Sequence, residues 1–145
     1  MTSTNDVDTT QYLAVLKEGM TTLYMPPAIE LSLYIGSLDP YNSLTFYHLG
    51  GGVETITGFD LGAVPGASAN GKQYSAQANG RFTFRFDTPV IGVDFQSSNN
   101  SFEISNIGVI SVPEPEAWAM MLIGIGFIGF AKRRQSYRTA NGALT

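Results

Sequence analysis

The chain contains no cysteine and a single histidine, His48. Without cysteine there are no disulfides, no thiolate metal ligands and no cysteine nucleophile. Charged residues are also scarce, at 14% of the sequence, against roughly 25% in an average globular protein. Glycine, serine, threonine and asparagine take their place. This composition favours a domain of strands and turns over a helical domain.

The few charges are unevenly distributed along the chain. Residues 1–112 carry ten acidic and four basic side chains, which gives a net charge of −6. Residues 113–145 carry two acids and four bases, which gives +2 and accounts for the total of −4. An acidic body repels phosphate backbones, so the sequence predicts a protein that does not bind nucleic acid.

Residues 26–111 alternate apolar and polar side chains between frequent turn signals. The clearest strand is at Phe82, Phe84 and Phe86, which share one face. The pair Pro26-Pro27 and the single Pro89 are interpreted as breaks between strands. Six or seven short strands of this kind predict a mostly-β fold, an antiparallel β-sandwich, over residues 26–111.

The first 25 residues do not resemble an export leader. No basic region opens the chain, and Lys17 and Glu18 interrupt its apolar patch. We interpret residues 1–25 as a partly disordered N-terminal segment without a visible signal peptide. Either an in-frame leader is encoded upstream of Met1, or this copy is truncated.

An uncharged run begins shortly after the last predicted strand. Residues 117–131 carry no charged side chain, and Lys132, Arg133 and Arg134 end the run. As a helix the run spans about 22 Å, and snorkelling basic side chains extend its reach. It predicts one C-terminal transmembrane helix over residues 117–131. A buried core helix is the alternative, but the run is apolar all round and offers no face to water.

The basic cluster predicts the orientation of this helix. Lys132, Arg133 and Arg134 act as a membrane stop on the cytoplasmic side under the positive-inside rule. The body then lies on the periplasmic or exterior side, and residues 135–145 form a cytoplasmic tail.

The order of these elements resembles a known sorting signal. A Pro-Glu-Pro motif, an apolar run and a basic cluster over residues 112–134 resemble the PEP-CTERM signal, and the pair Trp118-Ala119 is similar to its PEP-x-x-WA subtype. The resemblance implies export in a Gram-negative bacterium and processing by exosortase, a membrane protease-transpeptidase. It also implies Pro113, Glu114 and Pro115 as the recognised motif, and a final location at the cell surface or in exopolysaccharide.

Two stretches of the body are similar to a family of exosortase-dependent surface domains. They are Gly36 to Tyr47, which reads GSLDPYNSLTFY, and Ser101 to Ile107, which reads SFEISNI. This resemblance implies no enzymatic role.

Two patterns resemble catalytic or nucleotide-binding motifs. Gly124 to Gly129 matches G-x-G-x-x-G, but no strand precedes it and it lies in the apolar run. His48 precedes a glycine triplet like that of an esterase, but the chain has no G-x-S-x-G elbow. The sequence therefore predicts a protein that is not an enzyme and uses no cofactor.

Two further sets of residues raise the question of a ligand. Four aspartates lie near strand ends without a calcium-binding loop, and we interpret them as solvated turn carboxylates rather than a metal site: Asp39, Asp60, Asp87 and Asp94. Four tyrosines could form an aromatic platform for glycans, or be ordinary edge and core residues: Tyr34, Tyr41, Tyr47 and Tyr74.

Together these patterns predict an exported bacterial surface or extracellular-matrix protein. Its expected partners are exosortase and, through the C-terminal helix, the lipid bilayer. The body has a structural or binding role, and the alternative is a carbohydrate-binding module that acts on exopolysaccharide.

Overall fold

A computed structural model describes residues 11–113 and 119–128 of the chain. The chain divides into two compact units, Met1–Val112 and Pro113–Thr145. In the first unit the strands are β1 (Leu13–Val15), β2 (Gly19–Gly36), β3 (Asn42–His48), β4 (Val53–Thr57), β5 (Gly80–Ser97) and β6 (Phe102–Ser111), and a short helix α1 (Gly58–Gly62) follows β4.

The six strands described here form one sheet in the order β1-β6-β2-β5-β3-β4. Every neighbouring pair is antiparallel, which confirms the predicted antiparallel, mostly-β class. The arrangement differs from the predicted sandwich of two sheets, because all the strands are hydrogen-bonded into a single one. The sheet also begins upstream of residue 26, since β1 and the first part of β2 precede it.

The single sheet contains two strands that are much longer than the sequence predicts. Strands β2 and β5 each contain 18 residues. Pro26-Pro27 lies inside β2 and Pro89 lies inside β5, so the interpretation of these prolines as strand ends was wrong. Proline has no N–H to donate to a ladder and is tolerated at bulges. The β2–β5 register shifts between Tyr24 and Ala28, beside the proline pair.

The long strands bend at these positions. Phe46 of β3 pairs with Val93 of β5, whereas Phe84 lies nine residues upstream of Val93 in the same strand. Nine residues of straight strand would span about 30 Å. The ring centroids of Phe46 and Phe84 are nevertheless 5.1 Å apart, and those of Phe46 and Phe86 are 5.0 Å apart. The two halves of β5 therefore face each other across the core.

The core lies between the two halves of the bent sheet. Its largest buried aromatic side chains are Phe46, Phe95 and Phe102, with Phe95 and Phe102 centroids 6.2 Å apart. Burial of such a side chain contributes about 1.5–3 kcal/mol. The three phenylalanines of the clearest predicted strand are only partly buried and pack against this cluster. They border the core instead of forming its centre.

The segment between α1 and β5 contains no strand and is anchored at its far end by Asn79. The side-chain Oδ1 of Asn79 accepts a hydrogen bond from the backbone N–H of Ser37 at 2.9 Å. Its Nδ2 donates to the carbonyl oxygens of Gln73 at 3.0 Å and Ser75 at 2.6 Å. These bonds hold the loop around Tyr74 against the end of β2.

Candidate functional sites: a tyrosine-lined groove and the C-terminal segment

Three neighbouring strands place two tyrosines on one face of the sheet. Tyr34 of β2 pairs with Ser105 of β6. Tyr12 directly precedes Leu13 of β1, which pairs with Ile104 of β6. Extending this antiparallel register by one residue places Tyr12 opposite Ser105, on the side away from Tyr34. Residues directly opposite in antiparallel strands point to the same face. The row is therefore Tyr12, Ser105, Tyr34, with a small side chain between two aromatic rings.

This row is the floor of an open groove of about 630 Å³. The floor leaves room for a ligand because Gly36 has no side chain and Ser105 has a small one. A Cβ atom at Gly36 would lie 3.1 Å from a carboxylate oxygen of Glu103. The loop held by Asn79 supplies Gln73 and Tyr74 as one wall. We call this surface the tyrosine groove.

The aromatic surface of the tyrosine groove is open to solvent. Tyr12 is 62% exposed, Tyr34 is 38% exposed and Tyr74 is fully exposed. None of the three hydroxyls hydrogen-bonds to another residue in the part of the chain that the structure describes. Their rings and hydroxyls are therefore available to a ligand.

Glu103 is the charged residue that lines the tyrosine groove. One of its carboxylate oxygens accepts a hydrogen bond from the Ser101 hydroxyl at 3.2 Å. Arg81 pairs with Tyr34 from the opposite side of β2, and its guanidinium donates to the Ser32 hydroxyl and the Asn106 carbonyl. The groove consequently presents a carboxylate, while the nearest guanidinium in the row is already bonded.

The four tyrosines of the predicted platform do not lie together. Only Tyr34 and Tyr74 line the tyrosine groove. The Tyr41 hydroxyl donates to the Asn100 carbonyl at 2.7 Å, and burial together with the Asp39 carboxylate raises the pKa of Tyr41 to about 12.

Tyr47 belongs to another part of the sheet. Its hydroxyl donates to Asp94, which also accepts from the Thr22 hydroxyl at 2.6 Å. Its ring lies 3.8 Å from the position of a Cβ at Gly92, and the ring of Tyr24 lies 3.6 Å from it on the other side. Both rings cover the glycine.

Sequence reasoning missed Tyr12, the third tyrosine of the groove. It lies in the segment interpreted as an N-terminal extension and is not among the four tyrosines of the predicted platform. Only the pairing of β1 with β6 brings it next to Ser105. A strand of three residues is too short for its alternation of apolar and polar side chains to be detected in the sequence.

The single histidine contacts backbone and carboxylate groups. His48 Nδ1 lies 3.0 Å from the Thr88 carbonyl oxygen, and Nε2 lies 3.5 Å from a Glu54 carboxylate oxygen. Within residues 11–113 and 119–128, no three acidic or histidine side chains are grouped as metal ligands would be. Asp60 instead accepts hydrogen bonds from Thr57 at the start of α1, which lower its pKa.

The C-terminal segment starts where the sheet ends. The Val112 N–H donates to the Pro27 carbonyl oxygen at 2.7 Å, and Pro113 follows. Of the predicted sorting residues, Pro113 and Ala119 are described. The others lie outside the described residues: Glu114, Pro115, Trp118, Lys132, Arg133 and Arg134.

Residues 119–128 are helical, in the middle of the predicted run. Seven large apolar side chains of this helix are between 49% and 71% exposed: Met120, Met121, Leu122, Ile123, Ile125, Phe127 and Ile128. No helix within residues 11–113 and 119–128 has both the length and the apolar character needed to cross a membrane.

A family model described as the PEP-CTERM protein-sorting motif matches residues 111–135. The chain carries a PEP-CTERM sorting motif. The matched segment starts at Ser111, the last residue of β6, and contains all of the predicted sorting residues. The PEP-CTERM motif indicates an exported protein that is processed at the membrane by exosortase and ends at the cell surface. Assignment to the PEP-x-x-WA subtype stays a prediction. Comparisons with curated proteins and with solved structures give no match for this chain.

Proposed function

We propose that this chain is a Gram-negative bacterial surface or extracellular-matrix protein whose C-terminal helix is held in the membrane until exosortase cuts near Pro113-Glu114-Pro115. The observation that carries the proposal is the PEP-CTERM motif at residues 111–135. After cleavage the body remains outside the cell. It consists of residues 26–111 together with β1 and the first part of β2.

The end of the sheet supports cleavage at this position. The backbone hydrogen bonds of β6 continue to Val112 and its partner Pro27. Beyond Val112, proline fixes φ and favours an extended backbone at the preceding residue. An extended backbone outside the sheet can pair with a protease cleft. The residues of the buried core fall between positions 15 and 104 of the sequence, so cleavage after Pro113 removes none of them.

The composition of the C-terminal segment supports a membrane helix over residues 117–131. The described part, residues 119–128, exposes its large apolar side chains, and transfer of such a surface from water to an apolar environment is favourable. Trp118 suits the membrane interface. The basic cluster Lys132 to Arg134 would remain in the cytoplasm with the tail at residues 135–145, which orients the body outward.

Intact-mass measurement on surface-extracted protein tests this proposal. The full chain, fused to an export leader, is expressed in a host with exosortase and in the same host without it. We expect a product that ends near residues 113–115 only when exosortase is present. Replacing Pro113, Glu114 and Pro115 with alanine should trap the precursor in the membrane, whereas Glu116→Ala should be processed normally. Recovery of full-length chain in both hosts would mean that the segment is a plain anchor.

For the body we propose a structural or binding role without catalysis. The ring nitrogens of His48 face the Thr88 carbonyl and the Glu54 carboxylate, and neither is a nucleophile that the imidazole would activate.

The alternative role, a carbohydrate-binding module that acts on exopolysaccharide, is favoured by the tyrosine groove. A glycan array probed with the exported body distinguishes the two roles. Selective binding that is lost in Tyr34→Ala supports the module, and uniform absence of binding supports a structural role.

A further inference from the structure

We infer that the tyrosine groove binds a linear, uncharged glycan that runs across strands β1, β6 and β2. One sugar stacks on Tyr12, the next lies over Ser105, and a third stacks on Tyr34. This inference rests on the carbohydrate-binding alternative above and adds the position, direction and charge class of the ligand.

The spacing of the row sets the geometry. Neighbouring strands lie about 4.8 Å apart, so two positions in one row that are separated by a third strand are about 10 Å apart. Tyr12, one residue before β1, extends the row that contains Ser105 and Tyr34. One strand spacing is close to the length of one pyranose unit in an extended glycan. Successive sugars of such a chain therefore lie over successive strands. The small side chain of Ser105 leaves room for the middle sugar, between those that stack on Tyr12 and Tyr34.

The exposed rings supply the main attraction. The face of an aromatic ring carries partial negative charge, and the C–H bonds on one face of a pyranose carry partial positive charge. Tyr12 and Tyr34 offer such faces in one row, and the fully exposed Tyr74 offers a third from the loop wall. Aromatic rings add contact area at low entropic cost, because only two torsion angles are fixed on binding.

Polar groups of the groove match the hydroxyls of a sugar. Glu103 uses one carboxylate oxygen for Ser101, and an ionised carboxylate has further acceptor capacity for a sugar hydroxyl. Gln73, in the same wall as Tyr74, can both donate and accept. A few polar groups among aromatic side chains are the usual composition of a small-molecule site.

The charge of the groove selects against acidic glycans. Glu103 places a negative charge on the floor, and residues 1–112 carry a net charge of −6. A uronate or sulfate bound beside Glu103 would meet a like charge, and solvent in the open groove weakens this repulsion without removing it. An uncharged glycan meets no such penalty.

Titration calorimetry on the full chain tests the inference. The chain is kept in a zwitterionic detergent, so that no sugar headgroup competes, and is titrated with three uncharged hexasaccharides (cellohexaose, chitohexaose and mannohexaose) and with hexagalacturonate as the acidic counterpart. We expect binding of at least one uncharged probe. Tyr12→Ala and Tyr34→Ala should each weaken it by about tenfold, which equals about 1.4 kcal/mol of binding free energy.

Two further variants separate stacking from a change in fold. Tyr34→Phe keeps the ring and should retain most of the binding. Tyr24→Ala removes a tyrosine that is 82% exposed and lies outside the groove, and it should bind like the unaltered chain. Glu103→Gln should improve binding of hexagalacturonate. All variants are compared by thermal unfolding.

Each negative result has a separate meaning. Uncharged probes that bind equally well to Tyr12→Ala and Tyr34→Ala would overturn the groove as the site and leave a carbohydrate-binding body. A preference for hexagalacturonate that depends on Tyr34 would overturn the charge class. Failure of all four probes to bind would overturn both this inference and the carbohydrate-binding alternative, while sorting by exosortase would stand.

Discussion

The backbone N–H of Val112 lies 2.7 Å from the carbonyl oxygen of Pro27, and this hydrogen bond closes the ladder between β2 and β6 immediately before Pro113. Pro27 also belongs to the bend of β2, beside the register shift. The end of the body is therefore attached to the point where the sheet turns. The Pro-Glu-Pro motif begins one residue later.

This relationship predicts how far the chain can be shortened without loss of stability. A chain that ends at Val112 keeps the β2–β6 pairs, whereas one that ends at Gly108 loses the pairs of Val109, Ile110 and Ser111. We expect the shorter chain to lose about 1 kcal/mol for each ladder hydrogen bond removed, measured by urea unfolding. Equal stability of the two chains would show that the end of β6 does not contribute.

The packing of Phe46 against Phe84 and Phe86 predicts a large effect of Phe46→Ala. The side chain is fully buried between the two halves of the sheet, and its removal leaves a cavity. The free energy of unfolding should fall by about 3–5 kcal/mol. Phe59→Ala is the matched control, because Phe59 is 72% exposed, and it should change stability by less than about 0.5 kcal/mol. Similar losses in the two variants would contradict the bent sheet.

Two glycines are expected to respond differently to alanine. A Cβ atom at Gly58 would overlap the carbonyl oxygen of Asp39, whereas at Gly80 no atom lies within 4 Å of that position. Gly58→Ala should cost about 1–3 kcal/mol, because the backbone must shift. Gly80→Ala should be neutral or slightly stabilising, since alanine restricts the unfolded chain. Thermal unfolding of both variants is the measurement.

Stability should decline at high pH because of Tyr41. Burial and the Asp39 carboxylate raise the pKa of Tyr41 from 10.0 to about 12, so the folded chain holds this proton more tightly than the unfolded chain. The contribution is complete below pH 10.0 and is lost as the pH rises toward about 12.

The Tyr41→Phe variant isolates this contribution. Because phenylalanine does not titrate, the variant should show a smaller decline in unfolding free energy over the same pH interval. Tyr24→Phe changes an exposed tyrosine and serves as the control. An identical pH profile for Tyr41→Phe and the unaltered chain would show that other groups cause the decline.

The antiparallel, mostly-β class and the sorting motif could be predicted from local patterns. The alternation of Phe82, Phe84 and Phe86 with polar residues specifies a strand whose two faces differ, since successive side chains point to opposite sides. The sorting motif is also local: its Pro-Glu-Pro motif, apolar run and basic cluster follow one another along the chain. Neither conclusion depends on which strands are neighbours.

The tertiary structure alone decided how the sheet is connected and where its groove lies. Pro26-Pro27 and Pro89 look like strand ends in sequence, but pairing between β2 and β5 continues past them, because hydrogen bonds on both sides hold a bulge in place. Tyr12, Tyr34 and Tyr74 are far apart in the chain and meet only because β6 lies between β1 and β2 and the Asn79 side chain holds the loop. Sequence spacing carries no information on such contacts, since strand order is set by burial of the whole core.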